Sequence, residues 1–248
     1  MTIKNKEILI IGSNSAIIQD TIKFYLKRKV KVIGVSKSKE RNENFKKDNN
    51  FHFYKFDLLK NFNKIYDLCK KINKKHKNIS VIIFAQGGSF GKNKILSNSN
   101  IWENIWKINF GSTLAINNFF IKKFIKKKFG RILYFSSVAT EIKKGSAIYS
   151  SSKSCIDDYV KKMGNNFSDK NIFINSIKTS IVSGKNNNWG KFETKSNKNK
   201  ISKLLNKNIS TKKFGRSEYF TDMINLLCSE KNKFITGASI NMDGGFLI

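Results

Sequence analysis

Tyr149 and Lys153 stand four residues apart at the start of a stretch, 150–163, whose apolar spacing predicts a helix. Residues four apart share a helix face, so phenol and ammonium would be neighbours. A phenol titrates near 10 and is a poor base at neutral pH. A cation about 5 Å away, at an effective dielectric near 20, favours the phenolate by roughly 3 kcal/mol, or about two pKa units. That shift would bring Tyr149 into the range of general acid–base work. The bare Tyr-x-x-x-Lys spacing does not single the pair out, because Tyr25 with Lys29 and Tyr66 with Lys70 share it. Context does. Tyr149 follows an apolar run ending in Ser136-Ser137, whereas the other two pairs fall inside amphipathic stretches. Residues at the carboxyl ends of parallel strands face the ligand crevice.

A second chemistry-bearing feature is the turn Gly12-Ser13-Asn14-Ser15-Ala16-Ile17-Ile18 between an apolar run and a helical stretch. Gly12 can take the backbone angles of a tight turn, and the helix after it would aim N–H groups at a pyrophosphate. A Ser/Asn-rich turn also serves as a simple helix cap, and the residues leave both readings open. The next apolar run ends in Val35-Ser36-Lys37-Ser38. An acidic residue there would accept hydrogen bonds from a ribose 2′-hydroxyl and mark NAD. None is present, and Lys37 could instead neutralise a 2′-phosphate, which favours NADP(H) and leaves NAD(H) open. The competing reading of Lys37 is one more surface lysine.

These residues need a scaffold, and its elements alternate along the chain. Runs 8–11, 30–35, 51–56, 80–85, 132–135, 172–177 and 239–242 read as strands; 17–27, 62–72, 101–127, 150–163 and 218–228 have helical length and spacing. Apolar strands without strict alternation indicate a sheet covered on both faces. The expectation is a single α/β domain over residues 1–248, a Rossmann-like, doubly wound parallel sheet of about seven strands. Residues 184–213 break the rhythm. They are Lys/Asn-rich, with Trp189, Phe192, Ile201, Leu204 and Leu205 as sparse anchors, and are expected to form a mobile, substrate-covering loop.

Composition narrows the classes. Hydrophobic residues make up 40% and charged residues 26%, enough apolar content for a packed core. The formal charge of +31 comes mostly from lysines spread over the whole chain, together with abundant Asn, Ile and Phe and no Pro. That is the signature of A/T-rich codons acting on solvated positions, and a dispersed charge argues against a nucleic-acid partner. Cys69, Cys155 and Cys228 lie far apart without a Cys-x-x-Cys pair, and His52 and His76 have no partner spacing. No disulfide framework or metal site is expected, and a reducing compartment fits. No signal-peptide pattern and no apolar stretch near ~20 residues is present, so a cytoplasmic protein without a membrane partner is expected.

Taken in order, further elements carry a resemblance over nearly the whole chain. They are Asp57-Leu58 after the third strand, Ala85-Gln86-Gly87-Gly88 after the fourth, Asn109 in Trp106-Lys107-Ile108-Asn109-Phe110-Gly111, and Gly130-Arg131-Ile132 leading to Ser136-Ser137. Then come Tyr149-Ser150-Ser151-Ser152-Lys153, Asn175-Ser176-Ile177, and the tail from Phe234-Ile235-Thr236-Gly237 to Asp243-Gly244-Gly245. Their joint order and spacing are similar to the short-chain dehydrogenase/reductase family. The resemblance implies an NAD(P)-dependent oxidoreductase that moves a hydride to or from a small carbonyl or alcohol substrate, of 3-oxoacyl-thioester or sugar/polyol type and possible anionic character. It implies that Tyr149 exchanges the substrate proton, that Lys153 lowers its pKa and holds the nicotinamide ribose, that Ser137 hydrogen-bonds the substrate oxygen, and that Asn109 holds a water in a proton path. It places the cofactor against Gly12, Ser13, Asn14, Ser15, Ile17, Ser36 and Lys37, with Asp57 and Leu58 at the adenine, Ala85, Gln86 and Gly87 along it, and Ile181 and Val182 at the carboxamide. A homotetramer or homodimer is implied as well.

The departures are as informative. Ala16 and Ile18 stand where the family's Gly-x-x-x-Gly-x-Gly has its second and third glycines, Phe84-Ala85-Gln86-Gly87 replaces Asn-Asn-Ala-Gly, and Thr179-Ser180 replaces Pro-Gly. Ile18 is bulky where helix and strand pack closely, so the first helix is expected to stand off slightly. The lost glycines bear on cofactor affinity, and they support an alternative in which the chain is a catalytically impaired nucleotide-binding or interaction protein of the same fold.

Overall fold

The computed structural model describes residues 6–89, 98–143, 145–185 and 187–247. One seven-stranded sheet runs through them in the order β3-β2-β1-β4-β5-β6-β7. The strands are β1 (Glu7–Ile11), β2 (Lys31–Ser36), β3 (Phe51–Lys55), β4 (Ile79–Phe84), β5 (Gly130–Ser137), β6 (Ile172–Thr179) and β7 (Ser239–Met242). Every pairing is parallel.

The reason for unbroken apolar runs is visible in β1. Leu9 and Ile11 face one layer, under helices α2 (Ile65–Lys75), α4 (Ser112–Lys127) and α5 (Ala147–Phe167). Ile8 and Ile10 face the other, under α1 (Gln19–Lys27) and α8 (Ser217–Cys228). A strand covered on both sides has no solvent face to make polar, and each fully buried Ile contributes about 1.5–3 kcal/mol. The chain winds outward from β1 through β2 to β3, then returns to place β4 on the other flank of β1. That reversal opens a crevice at the carboxyl ends of β1 and β4, where an open α/β sheet takes its ligand.

Three local departures from the sequence reading matter. The long helix expected over 101–127 is two helices, α3 (Ser99–Trp106) and α4, joined by a π-helical turn, Lys107–Gly111, that carries Asn109. Such wider turns re-aim one side chain and occur often at functional sites. The chain enters α1 through a 3-10 turn, Ala16–Ile18, and Ile18 is completely buried in the layer beneath α1 and α8. Its bulk is absorbed by that packing.

The third concerns 184–213, which is not an open loop. It contains α6 (Asn188–Lys195) and α7 (Lys198–Asn208), capped by the side chains of Asn187 and Asn197, which accept from the N–H groups of Gly190 (2.6 Å) and Lys200 (2.9 Å). Leu205, Ile209 and Phe214 close a small third core with Ile181, joined by Phe192, Ile201 and Leu204. Trp189 stays exposed and anchors nothing buried. The Arg216–Glu193 ion pair ties α6 to the residue before α8.

Candidate active site

The proton-transfer pair comes from α5 and the end of β5. The Ser146 side chain caps α5 by accepting from the N–H of Tyr149 (3.4 Å), which puts Tyr149 in the first turn and Lys153 one turn on. Lys153 is 3% exposed, and its Nζ donates to the carbonyl of Phe135 on β5 (2.7 Å). Its ammonium lies 5.8 Å from the centroid of the Tyr149 ring. The hydroxyl of Ser137, the last residue of β5, is close enough to the Tyr149 phenol to pull its pKa down. The Ser137 hydroxyl also accepts from the N–H of Ala139 (3.2 Å), and Ser150 on α5 donates to the Ala139 carbonyl (2.5 Å), so the turn after β5 is fastened to the helix.

The electrostatics correct the expected depression of the phenol. Burial raises the Tyr149 pKa, with the Ser137 hydroxyl pulling the other way. Burial also lowers Lys153 to about 8, opposed by the charge of Asp157. Desolvation penalises the charged form of both groups, and here it outweighs the opposing pull of Ser137 on the phenol and of Asp157 on the ammonium. The protein therefore holds a neutral phenol beside an ammonium that is still protonated at neutral pH.

Asn109 is buried, and both ends of its amide are engaged. Its Oδ1 accepts from the N–H of Gly88 (3.0 Å), while Nδ2 donates to the carbonyls of Gly88 (3.1 Å) and Ile105 (2.9 Å). Gly87 lies against this amide: a Cβ there would fall 2.4 Å from Asn109 Oδ1 and 3.3 Å from Lys153 Nζ. The π-helical turn, the end of β4 and α5 thus converge at one point.

Beside it runs a cleft of about 350 Å³. Gly12, Asn14 and Ser15 line it from the first turn, Ser36 and Lys37 at and just past the end of β2, Asp57 and Leu58 after β3, and Ala85, Gln86 and Gly87 after β4. The remaining sequence-based cofactor candidates are placed elsewhere. Ser13 is buried beneath the turn with its hydroxyl towards Gly34, where an added Cβ would meet it at 2.8 Å, and its N–H goes to the Val35 carbonyl. Ile17 packs on the α1/α8 layer and accepts from Ser217 Oγ (3.0 Å) through its carbonyl. Ile181 belongs to the third core and Val182 bridges to Gly215. Tyr149 and Lys153 lie past the Gly87 end of the cleft.

Sequence reasoning passed over Ser38, Phe56, Leu59 and Ile108, which also line the cleft, and Arg41. Asn14 donates from Nδ2 to Ser38 Oγ (2.8 Å) and accepts the N–H of Arg41 on Oδ1 (2.7 Å). The Arg41 guanidinium donates to the carbonyls of Asn14 and Lys185. No spacing rule points to this fold-back of one loop onto another.

The cleft fits a dinucleotide on its own geometry. Gly12, at φ +83°, brings the first turn so close to β4 that a Cβ would sit 2.5 Å from the Gln86 nitrogen. Gln86 Oε1 is buried in the wall without a partner among the described residues, an acceptor suited to a hydroxyl or amide. Among the described residues no group of His, Cys, Asp or Glu could hold a metal, and no helix is long and apolar enough to cross a membrane.

Known proteins agree with this architecture. The chain is 30% identical, over 99% of its own length and 98% of the other's, to the 3-oxoacyl-[acyl-carrier-protein] reductase of Buchnera aphidicola subsp. Acyrthosiphon pisum (strain APS). It shares its fold with a 3-oxoacyl (acyl-carrier-protein) reductase of Agrobacterium tumefaciens C58 with NADP bound, at TM-score 0.87 and 17% identity over 98% of this chain and 94% of that one. A 4-hydroxyisoleucine dehydrogenase complexed with NADH superposes at TM-score 0.85, with 24% identity over 97% and 98% of the two chains. The profile described as short chain dehydrogenase matches residues 6–195. With these matches and the expected parallel sheet of seven strands, the chain belongs to the short-chain dehydrogenase family, as an NAD(P)-dependent oxidoreductase.

Proposed function

We propose that the chain reduces the carbonyl of a 3-oxoacyl thioester, with NADPH as the favoured hydride source and Tyr149 as the proton donor. The observation that carries the reading is the Lys153 ammonium, held by the Phe135 carbonyl 5.8 Å from the centroid of the Tyr149 ring, with the Ser137 hydroxyl near the phenol at the mouth of the nucleotide cleft. The relative from Buchnera aphidicola, matched along its length, supports the thioester, and Lys37 in the cleft without an acidic neighbour supports the 2′-phosphate.

The cofactor supplies the hydride when bound. The rest falls to the chain. A phenol kept neutral by burial carries its proton at neutral pH, which is the form a general acid needs. Ser137 and Tyr149 present two hydroxyls to one substrate oxygen, so negative charge growing there meets donors already in place. As Tyr149 gives up its proton, the Lys153 ammonium stabilises the phenolate; at a separation of this order and a dielectric near 20 that is worth about 3 kcal/mol. Asn109 orders Gly88 and so the wall between cleft and lysine. Gly12, Asn14, Ser15, Ser36, Lys37, Asp57, Leu58, Ala85, Gln86 and Gly87 would hold the dinucleotide. The basic segment 184–213 would cover an anionic substrate.

We place the enzyme in a reducing, cytoplasmic setting, because its cysteines are unpaired, and as a homo-oligomer, because Trp102 and Trp106 of α3 and Tyr66 of α2 remain exposed. Light scattering tests the assembly. The non-catalytic alternative drew on the lost glycines, yet Ile18 packs inside the core and the cleft remains. The deciding assay follows NADPH absorbance with a 3-oxoacyl thioester. Consumption supports the reading, and absence of both consumption and NADPH binding overturns it.

A further inference from the structure

One turn beyond Lys153, α5 carries Asp157, whose carboxylate is turned to the sheet. Its Oδ1 accepts from Ser239 on β7 (2.9 Å) and Ser176 on β6 (3.4 Å), and its Oδ2 lies 3.4 Å from Lys178 Nζ. Lys178, 8% exposed on β6, also bonds Glu141 in the turn that follows Ser137. Two ammoniums and two carboxylates, from α5, β6 and the β5 turn, thus alternate along one path that runs from the buried Lys153 through the half-buried Asp157 and the buried Lys178 to Glu141 at the surface. The set is neutral only while Lys153 is protonated. The other groups around Lys153 among the described residues, Tyr149, Ser137, Asn109 and the Phe135 carbonyl, bring no charge at neutral pH.

We infer that Asp157 is a positioning residue, clamped by Lys178 and two serine hydroxyls, whose carboxylate keeps the buried Lys153 an ammonium. The inference rests on the proposed role of that ammonium beside Tyr149. Without a counter-charge a buried lysine sheds its proton, and Lys153 already sits at about 8 with Asp157 as the charge that raises it. Activity that needs the ammonium is present below the Lys153 pKa and is lost as pH rises through it.

Two variants predict opposite signs. Asp157→Asn keeps the shape and an acceptor for Ser239 but removes the charge, and should lower the Lys153 pKa by about one unit or more. Lys178→Met removes the cation between the two carboxylates and should raise it. The direct readout needs no turnover: the 13Cε resonance of Lys153, assigned by its loss in Lys153→Arg, is titrated in each variant. The alkaline limb of kcat should move the same way, whereas a merely structural role would lower kcat at every pH without moving the limb. A Lys153 titration unchanged in Asp157→Asn, or displaced in the same direction by both variants, overturns the inference. If Lys178→Met fails to fold, Asp157→Asn decides alone. Shifts of the predicted signs in a protein that turns over no carbonyl would uphold the charge relation and sink the functional reading instead.

Discussion

Gly87→Ala perturbs the site without deleting any functional group. Gly87 has φ +132°, where an L side chain is strained, and its new methyl would fall 2.4 Å from Asn109 Oδ1. To make room Asn109 must release its two bonds with Gly88. The backbone strain costs about 1–3 kcal/mol and each buried hydrogen bond about 1 kcal/mol, together about 3–5 kcal/mol. For a chain of this size 1 kcal/mol lowers Tm by roughly 2–4 °C, so a fall of about 6–20 °C is expected, with weakened NADPH binding. Differential scanning calorimetry and isothermal titration read the two effects. Gly145→Ala is the control, because Gly145 has φ +128° but its Cβ would meet nothing nearer than Ile142 at 3.8 Å. It carries the strain alone. A loss of Tm in Gly87→Ala no larger than in Gly145→Ala, with cofactor affinity intact, would refute the convergence of Asn109, Gly87 and Lys153.

Other outcomes follow from single environments. Arg131, 1% exposed, donates to the carbonyls of Ser229, Gly130, Asn171 and Asn232 and to the Asn171 side chain, so Arg131→Met should cost about 3–5 kcal/mol in chemical denaturation; less than about 1 kcal/mol would contradict its role as a staple of the sheet's lower edge. Burial lowers the pKa of His76, and of His52 beside it, so the folded state binds fewer protons than the unfolded one and stability should fall as pH drops below about 6.5. Thermal melts between pH 7.5 and 5 should show that loss, and the double variant His52→Gln/His76→Gln should flatten it; an unchanged slope would count against it. Lys37→Glu should cost NADPH roughly 10–100-fold in affinity while sparing NADH, measured by fluorescence titration, and equal effects on both would remove Lys37 from the 2′-phosphate.

What the sequence displayed and what it hid divide along physical lines. The strands were legible because a sheet covered on both faces demands apolar runs, and Ile8 to Ile11 or Val81 to Phe84 satisfy that without ambiguity. Ten of the residues that line the cleft were legible because strand ends meet a crevice once the order of strands is fixed. Ser13 and Ile17 lie outside the cleft lining, since which side chain of a tight turn faces inward depends on neighbours such as Gly34 and Ser217 that the local sequence does not announce. The π-helical turn at Asn109 has no periodic signature. In 184–213 the apolar spacing of two helices was diluted by Lys and Asn, though Asn187 and Asn197 were cap signals that could have been read. The Tyr149 shift ran opposite to expectation because a pairwise Coulomb argument in a uniform dielectric leaves out the desolvation that burial imposes. The Arg41 clasp and the Glu141–Lys178–Asp157 chain join distant segments and needed the tertiary fold to appear.

The central claim is that the Tyr149 phenol gives the proton. Turnover of Tyr149→Phe with NADPH and a 3-oxoacyl thioester measures it directly. The account predicts that kcat falls about 10²–10⁴-fold, with NADPH bound as tightly as before and the fold unchanged. Turnover within a few-fold of the parent protein would contradict it.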